Sequence, residues 1–328
     1  MRASRRAGLV AAVTTLLPCL LTPLAAAEPE PAAAQGSPVE RTSGFYVDPD
    51  STAAAWVAAN PDDSKAAAID TGIARRPSAR WFGNWSGTIS TAVSAYVGAA
   101  DAADKLPVLV AYNIPGRDAC GGHSGGGAGT PQAYRTWIRS FAAAIGDRPA
   151  LVVVEPDSLG DYSCLTQKQI DERNAMLRYA LDRFAASAPR TWTYLDAGNP
   201  GWLDPVTIAG HLNGAGATRA HGFSLNVSNY FSTSENTKYG DSVNAALSAY
   251  GYTKPYVVDT SRNGNGSDGE WCNPPGRRTG TPSRTGGRAE MLLWVKLPGE
   301  SDGDCGVGTG STAGQFLPKV AYDMVDGN

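Results

Sequence analysis

Carboxylate side chains follow four apolar runs in this 328-residue chain. Residues 108–112 lead into Asn113, Pro115, Arg117 and Asp118. Residues 151–154 end in Glu155, Pro156 and Asp157. Residues 192–195 end in Asp196, and residues 291–297 lead to Glu300 and Asp302. Acidic groups that are distant in sequence but gathered in one groove suit the hydrolysis of glycosidic bonds. That chemistry needs a protonated carboxyl at the leaving oxygen and a second group that activates water on the opposite face of the sugar. Asp157 closes the most apolar run, where desolvation raises a carboxyl pKa and keeps its proton on. The alternative for Asp157 is a helix-capping aspartate.

The elements that must gather these groups are short β-branched runs separated by helix-length segments, the pattern of buried parallel strands. Strands are expected at residues 45–47, 80–82, 107–112, 151–154, 192–195, 222–227, 256–259 and 291–297. Helices are expected at 51–59 behind a serine cap, at 133–145 behind the cap-and-N1 pair Thr130-Pro131, and over a long amphipathic stretch, 166–186. This alternation predicts an α/β fold, a distorted β/α barrel of seven or eight mainly parallel strands, over a doubly wound sheet. Loops at the C-terminal strand ends of a barrel converge on one face, so an open active-site cleft is expected there.

Residues 1–27 read as a secretory signal peptide. Arg2, Arg5 and Arg6 precede an apolar stretch, and small residues at 24–27 offer a cleavage site. Cys19 raises a lipoprotein reading, but Pro18 before it is a poor cleavage position. Residues 28–43, rich in Pro and Ala, read as an extended tail, and 44–328 as one catalytic domain without linker or repeat. Losing the three leader arginines takes the net charge from −3 to −6. With no Lys/Arg-rich run, neither nucleic acid nor membrane is an expected partner. A secreted, extracellular monomer acting on a neutral polymer is expected instead. Outside the leader stand Cys120, Cys164, Cys272 and Cys305. An even number in an exported chain suggests two disulfides, with three connectivities open. Cys120 and Cys164 follow neighbouring strands, as do Cys272 and Cys305, which favours those pairs. Zinc is the rival reading, but no Cys-x-x-Cys spacing occurs and the three histidines are scattered, so neither metal nor other cofactor is expected.

Six segments stand in order: Tyr112-Asn113-Ile114-Pro115-Gly116-Arg117-Asp118, Val154-Glu155-Pro156-Asp157, Leu195-Asp196-Ala197-Gly198, Asp259-Thr260-Ser261-Arg262-Asn263-Gly264, Glu270-Trp271-Cys272 and Trp294-Val295-Lys296-Leu297-Pro298-Gly299-Glu300-Ser301-Asp302-Gly303. Together they resemble glycoside hydrolase family 6, the inverting cellulases, and most of all its secreted bacterial endoglucanases. The resemblance covers essentially all of residues 44–328.

That resemblance implies an endo-β-1,4-glucanase acting with inversion on cellulose, soluble β-glucan or cello-oligosaccharides. Asp157 matches the general acid. Asp118 matches a carboxylate that raises the acid's pKa and relays a proton from the attacking water; its alternative is an ion pair with Arg117. Asp302 matches the residue proposed as base, with Arg262 and Lys296 around it to keep it ionised. Asp196 matches a third cleft aspartate, and Tyr112 a tyrosine beneath the reacting sugar that favours ring distortion. Trp81, Trp202 and Trp271 match tryptophans that stack on sugar faces, while Lys296 and Glu300 bind sugar hydroxyls. Where the family often has a histidine after Asp-Ala-Gly, this chain has Asn199, which hydrogen-bonds but does not titrate. Ser124, in the glycine-rich segment 120–129, is placed to hold the catalytic water. Glu155, held extended by Pro156, reads as structural.

Exo-acting relatives roof the cleft with insertions. Segments 271–290 and 302–315 are short here, which favours internal cutting over an exo-acting cellobiohydrolase of the same family. A serine esterase using Ser124 in Gly122-His123-Ser124-Gly125-Gly126 would need a strand running straight into that turn, and none precedes it. A non-catalytic glucan-binding protein is the third class, but every matched carboxylate position is filled.

Overall fold

Eight strands and the helices between them build the fold in a computed structural model that describes Met1, residues 37–121 and residues 124–326. The strands are β1 (Arg80–Phe82), β2 (Val108–Ala111), β3 (Ala150–Val154), β4 (Thr191–Asp196), β5 (Gly222–Leu225), β6 (Tyr256–Asp259), β7 (Arg284–Thr285) and β8 (Met291–Leu293). They form one sheet in the order β1-β2-β3-β4-β5-β6-β8-β7. Every pairing is parallel except that of β7 with β8. The helices are α1 (Thr52–Ala59), α2 (Ala66–Ile69), α3 (Ile89–Ala102), α4 (Pro131–Ile145), α5 (Gln167–Ser187), α6 (Pro205–Gly214), α7 (Thr233–Leu247) and α8 (Pro318–Asp326), with a π turn at Asp70–Ala74.

Period-two alternation decides which side chains face inward. Val108 and Val110 of β2, Leu151 and Val153 of β3, and Met291 and Leu293 of β8 fill the barrel interior. Leu109, Ala111, Val152 and Val154 point outward against Tyr134, Ile138 and Phe141 of α4 and Leu177, Leu181 and Phe184 of α5. Burying each such aliphatic side chain stabilises the fold by about 1.5–3 kcal/mol. The helices start where the sequence supplies acceptors for their first N–H groups. Thr130 accepts from Ala133 before Pro131 opens α4. Capping boxes pair Thr166 with Gln169 at α5, and Ser232 with Glu235 at α7.

The distorted barrel is present, open and curled. Its ends approach where the Ala79 N–H donates to the Trp294 carbonyl at 2.8 Å and the Trp81 indole N–H to the Val295 carbonyl at 2.8 Å. Three strand expectations need correction. Residues 45–47 make only a single bridge, Phe45 with Leu106, because Pro49 lacks a donor and the Asp48 carboxylate takes the Asp50 N–H at 3.0 Å. The run at 291–297 leaves the ladder after Leu293, where the buried Asp259 carboxylate accepts the N–H groups of Val295 and Lys296, each at 3.1 Å. The run at 222–227 stops at Leu225, and Asn226 then adopts φ +65°. The antiparallel β7, two exposed polar residues, carries no periodic signal.

The signal-peptide expectation and residues 28–36 of the expected tail lie outside the described residues. Residues 37–43 are turns rather than an extended segment: the Glu40 N–H donates to the Ser37 carbonyl at 3.1 Å, and Val39 packs against the barrel interior. Among the described residues, no helix is long and apolar enough to cross a membrane.

Candidate active site

The C-terminal ends of the parallel strands open into a cleft of about 1090 Å³. Tyr112, Asp118, Ser124, Asp157, Asn199, Trp81, Trp202, Trp271, Lys296, Glu300 and Asp302 line it together. Asp196 and Arg262 lie buried behind that lining.

Backbone strain concentrates at these strand ends. Asp118, Glu155, Asp157, Ser228 and Asn273 adopt φ between +45° and +69°, a region L side chains rarely occupy. The loop after β2 folds flat on itself, and Gly127 (φ +93°) lies so close that an added Cβ would sit 2.0 Å from the Ile114 carbonyl oxygen. Glu155 ties this loop to the one after β3. Its Oε2 accepts the Asn113 and Ile114 N–H groups, both at 2.8 Å, in the structural role expected of it. Burial lifts Glu155 to about 7. The disulfide Cys120–Cys164 joins the same two loops, and Cys272–Cys305 joins the loops beside Asp302; both are the favoured pairs.

A hydrogen-bonded chain runs through the centre. Asp118 Oδ2 accepts the Ser124 N–H at 2.6 Å and its hydroxyl at 3.2 Å. The Ser124 hydroxyl lies 2.9 Å from that of Tyr112, which donates to Asp157 Oδ2 at 3.3 Å. Asp157 is pushed well above the usual carboxylate range, first by burial and then by the charges of Asp196, Asp161 and Asp118. Burial also lifts Asp196 to about 6, although its Oδ2 accepts the Asp157 N–H at 3.0 Å and its Oδ1 the Ser224 hydroxyl at 3.1 Å. The charge of Asp196 thus bears directly on the proton of Asp157.

Asp302 is held by donors from three other residues. Its Oδ2 accepts from Arg262 at 2.9 Å, the Tyr230 hydroxyl at 3.0 Å and the Asn273 N–H at 3.2 Å. Asn273 Oδ1 in turn accepts the Asp302 N–H at 2.8 Å. Of the two cations expected around Asp302, Arg262 is paired with it. The Lys296 ammonium instead donates to the Ser301 carbonyl at 3.2 Å, lies 4.0 Å from Glu300 and sits 5.7 Å from the Trp81 ring. Arg117 does not pair with Asp118, its sequence neighbour. It turns to the Ser124 carbonyl at 2.8 Å and lies 4.8 Å from the Tyr112 ring.

Trp202 and Trp271 are 38% and 42% exposed, so part of each ring faces the solvent of the cleft. Trp81 is half-buried, edge-on to Tyr112 at 5.2 Å. Asn199 Oδ1 accepts the Gly201 N–H at 3.0 Å and holds the turn that presents Trp202. Sequence reasoning missed Trp85 and Phe231, which also line the cleft, and Asp259, Tyr230 and Asn273, which organise it. Only Trp85 carried a usable signal: like Trp202, it follows a strand end in a short polar loop.

Carboxyl groups that burial pushes above their usual range, another paired with a buried arginine, and aromatic faces along a groove are the equipment of a glycoside hydrolase acting on a sugar chain. The comparisons with known proteins narrow the class. The family model described as glycosyl hydrolases family 6 matches residues 40–327, and the chain belongs to that family. It is 66% identical to Endoglucanase 1 of Streptomyces halstedii over 93% of this chain and 95% of that protein. Identity to Endoglucanase A of Thermobispora bispora is 44%, over 96% of this chain and 67% of the other. Among solved structures, the endoglucanase Cel6 of Mycobacterium tuberculosis, bound to methyl-cellobiosyl-4-deoxy-4-thio-β-D-cellobioside, superposes with a TM-score of 0.80. The two are 39% identical, over 89% of this chain and all of that one.

Proposed function

We propose that this glycoside hydrolase is a secreted endo-β-1,4-glucanase that cuts internal bonds of cellulose or soluble β-glucan with inversion. Asp157 is the general acid, and the observation that carries this role is its burial beside three other carboxylates, which keeps it protonated. It delivers that proton to the leaving oxygen. Tyr112, whose hydroxyl burial keeps neutral, orients Asp157 and underlies the reacting ring. Water attacks the opposite face and loses its proton to Asp118 through the Ser124 hydroxyl. Asp302, fixed by Arg262, Tyr230 and Asn273, supplies stationary negative charge to the oxocarbenium-like transition state. Trp81, Trp202 and Trp271 grip neighbouring sugars, and Lys296, Glu300 and Asn199 bind hydroxyls.

The endoglucanase names of the three relatives described above, and the cello-oligosaccharide analogue in the M. tuberculosis structure, support the substrate class. Proton NMR of the first product released from cellotetraose tests the mechanism. The α-anomer should appear first, and Asp157→Ala should slow it about 10³-fold or more. A β-anomer first would overturn inversion, and a variant as fast as wild type would overturn the acid. Viscosity of a soluble cellulose should fall ahead of reducing-end release; proportionate change would indicate cutting from chain ends.

A further inference from the structure

Trp85 is 55% exposed, more than Trp202 or Trp271, and it lines the cleft with its ring 6.5 Å from that of Tyr112. It follows β1 in the loop Gly83-Asn84-Trp85-Ser86. Its ring lies on Gly83, where an added Cβ would fall 2.3 Å from the indole, so the glycine lets the ring settle. The Arg117 guanidinium is 5.1 Å from the Trp85 ring and 4.8 Å from that of Tyr112. Arg117 is buried, yet forms no ion pair with a carboxylate among the described residues. Its charge is met by these two ring faces and by oxygen acceptors. Its Nε–H donates to the Ser124 carbonyl at 2.8 Å, and one terminal nitrogen donates to the Tyr112 carbonyl and to Asn84 Oδ1, both at 3.2 Å. A buried cation held this way costs desolvation that an apolar side chain of equal size would not.

We infer that Trp85 is a further sugar-stacking platform on the β1 side of the reaction centre, and that Arg117 is a positioning residue that passes occupancy of the platform to the Ser124 backbone. The inference rests on the glucan-hydrolase reading. A sugar laid on Trp85 removes water from the indole and from the guanidinium beside it. The ring–cation contact then strengthens, because attraction to the ring face grows as solvent leaves. Arg117 is held more firmly, and with it the Ser124 carbonyl, whose own residue carries the hydroxyl between Asp118 and Tyr112. Binding of a sugar other than the reacting one is thereby used to order the reacting groups.

Kinetics on cello-oligosaccharides of three to six units test this, using wild type, Trp85→Ala, Trp85→Phe and Arg117→Lys with melting midpoints alongside. Wild-type kcat/KM should step up at the length that first reaches the platform. Trp85→Ala should raise KM roughly tenfold at that length and beyond while leaving shorter substrates unchanged, and Trp85→Phe should recover part of the loss. Arg117→Lys keeps the charge but loses the Nε donor and the flat stacking surface. It should leave KM alone and lower kcat at every length, but several-fold more for substrates long enough to reach the platform. A Trp85→Ala loss equal at every length would overturn the platform, and an Arg117→Lys loss equal at every length would overturn the coupling. Wild-type enzyme that cuts none of the series would overturn the substrate reading, and the platform with it.

Discussion

Replacing Asp196 by Asn should shift the alkaline limb of the rate profile to lower pH. After burial, the negative charge of Asp196 is the largest cause holding Asp157 protonated. Asparagine is isosteric: its amide oxygen can keep the Asp157 and Gly198 N–H groups, and its NH₂ can donate to the Ser224 hydroxyl. The substitution therefore removes charge and spares geometry. A unit charge at about 5 Å in an effective dielectric of about 20 contributes roughly 3 kcal/mol. One pKa unit corresponds to about 1.4 kcal/mol, so the upper bound is roughly two units. Hydrogen bonds that already disperse the Asp196 charge bring the expectation to about one to two. The sign follows from the role of Asp157, which is active while protonated. Losing a neighbouring anion makes its ionised form easier to reach, so activity fails at lower pH. The assay is kcat/KM on cellotetraose against pH. A limb that moves upward would refute the electrostatic reasoning. An unmoved limb with a lower plateau would mean that Asp196 acts through geometry alone.

Ser124→Ala removes the hydroxyl between Asp118 and Tyr112, and should lower kcat roughly 10–100-fold with KM within about twofold; a rise in KM at constant kcat would make Ser124 a sugar ligand instead. Glu155, lifted to about 7 by burial, favours its neutral form in the folded state. Its contribution to stability is full below the unfolded value of 4.5 and is lost as pH rises through about 7. Glu155→Gln should flatten the fall in Tm over that window by calorimetry, and a slope as steep as that of wild type would contradict the assignment. Cys272→Ser with Cys305→Ser opens a loop with a sequence separation of 33, which should cost about 3–4 kcal/mol in urea denaturation; an unchanged midpoint at unchanged m would contradict it.

The carboxylates were legible because each apolar run ends where a parallel strand ends, so the pattern that marks the strand also marks the residue at its mouth. Asp118, Asp157 and Asp196 were placed that way. Sequence could not show that Arg117 and Asp118, adjacent in the chain, point apart; Asp118 takes φ +53°, which no local propensity announces. Nor could it show that Asp259, an unremarkable strand-end acid, ends the β8 ladder by accepting two backbone N–H groups. Such work depends on where distant backbone arrives, which composition does not encode. The family resemblance places Lys296 around Asp302, yet its contacts are with Glu300, Ser301 and Trp81.

The positive φ angles at Asp118 and Asp157 carry a consequence for anyone breeding a hardier form of this enzyme. Glycine or asparagine relaxes each of those positions, whereas the acid holds it under tension. Selection for heat resistance alone would drift toward those replacements and deliver a sturdier but inert protein. Libraries meant to toughen the fold should leave the mouth of the barrel untouched and work instead on the outer helices, with catalysis scored in every round.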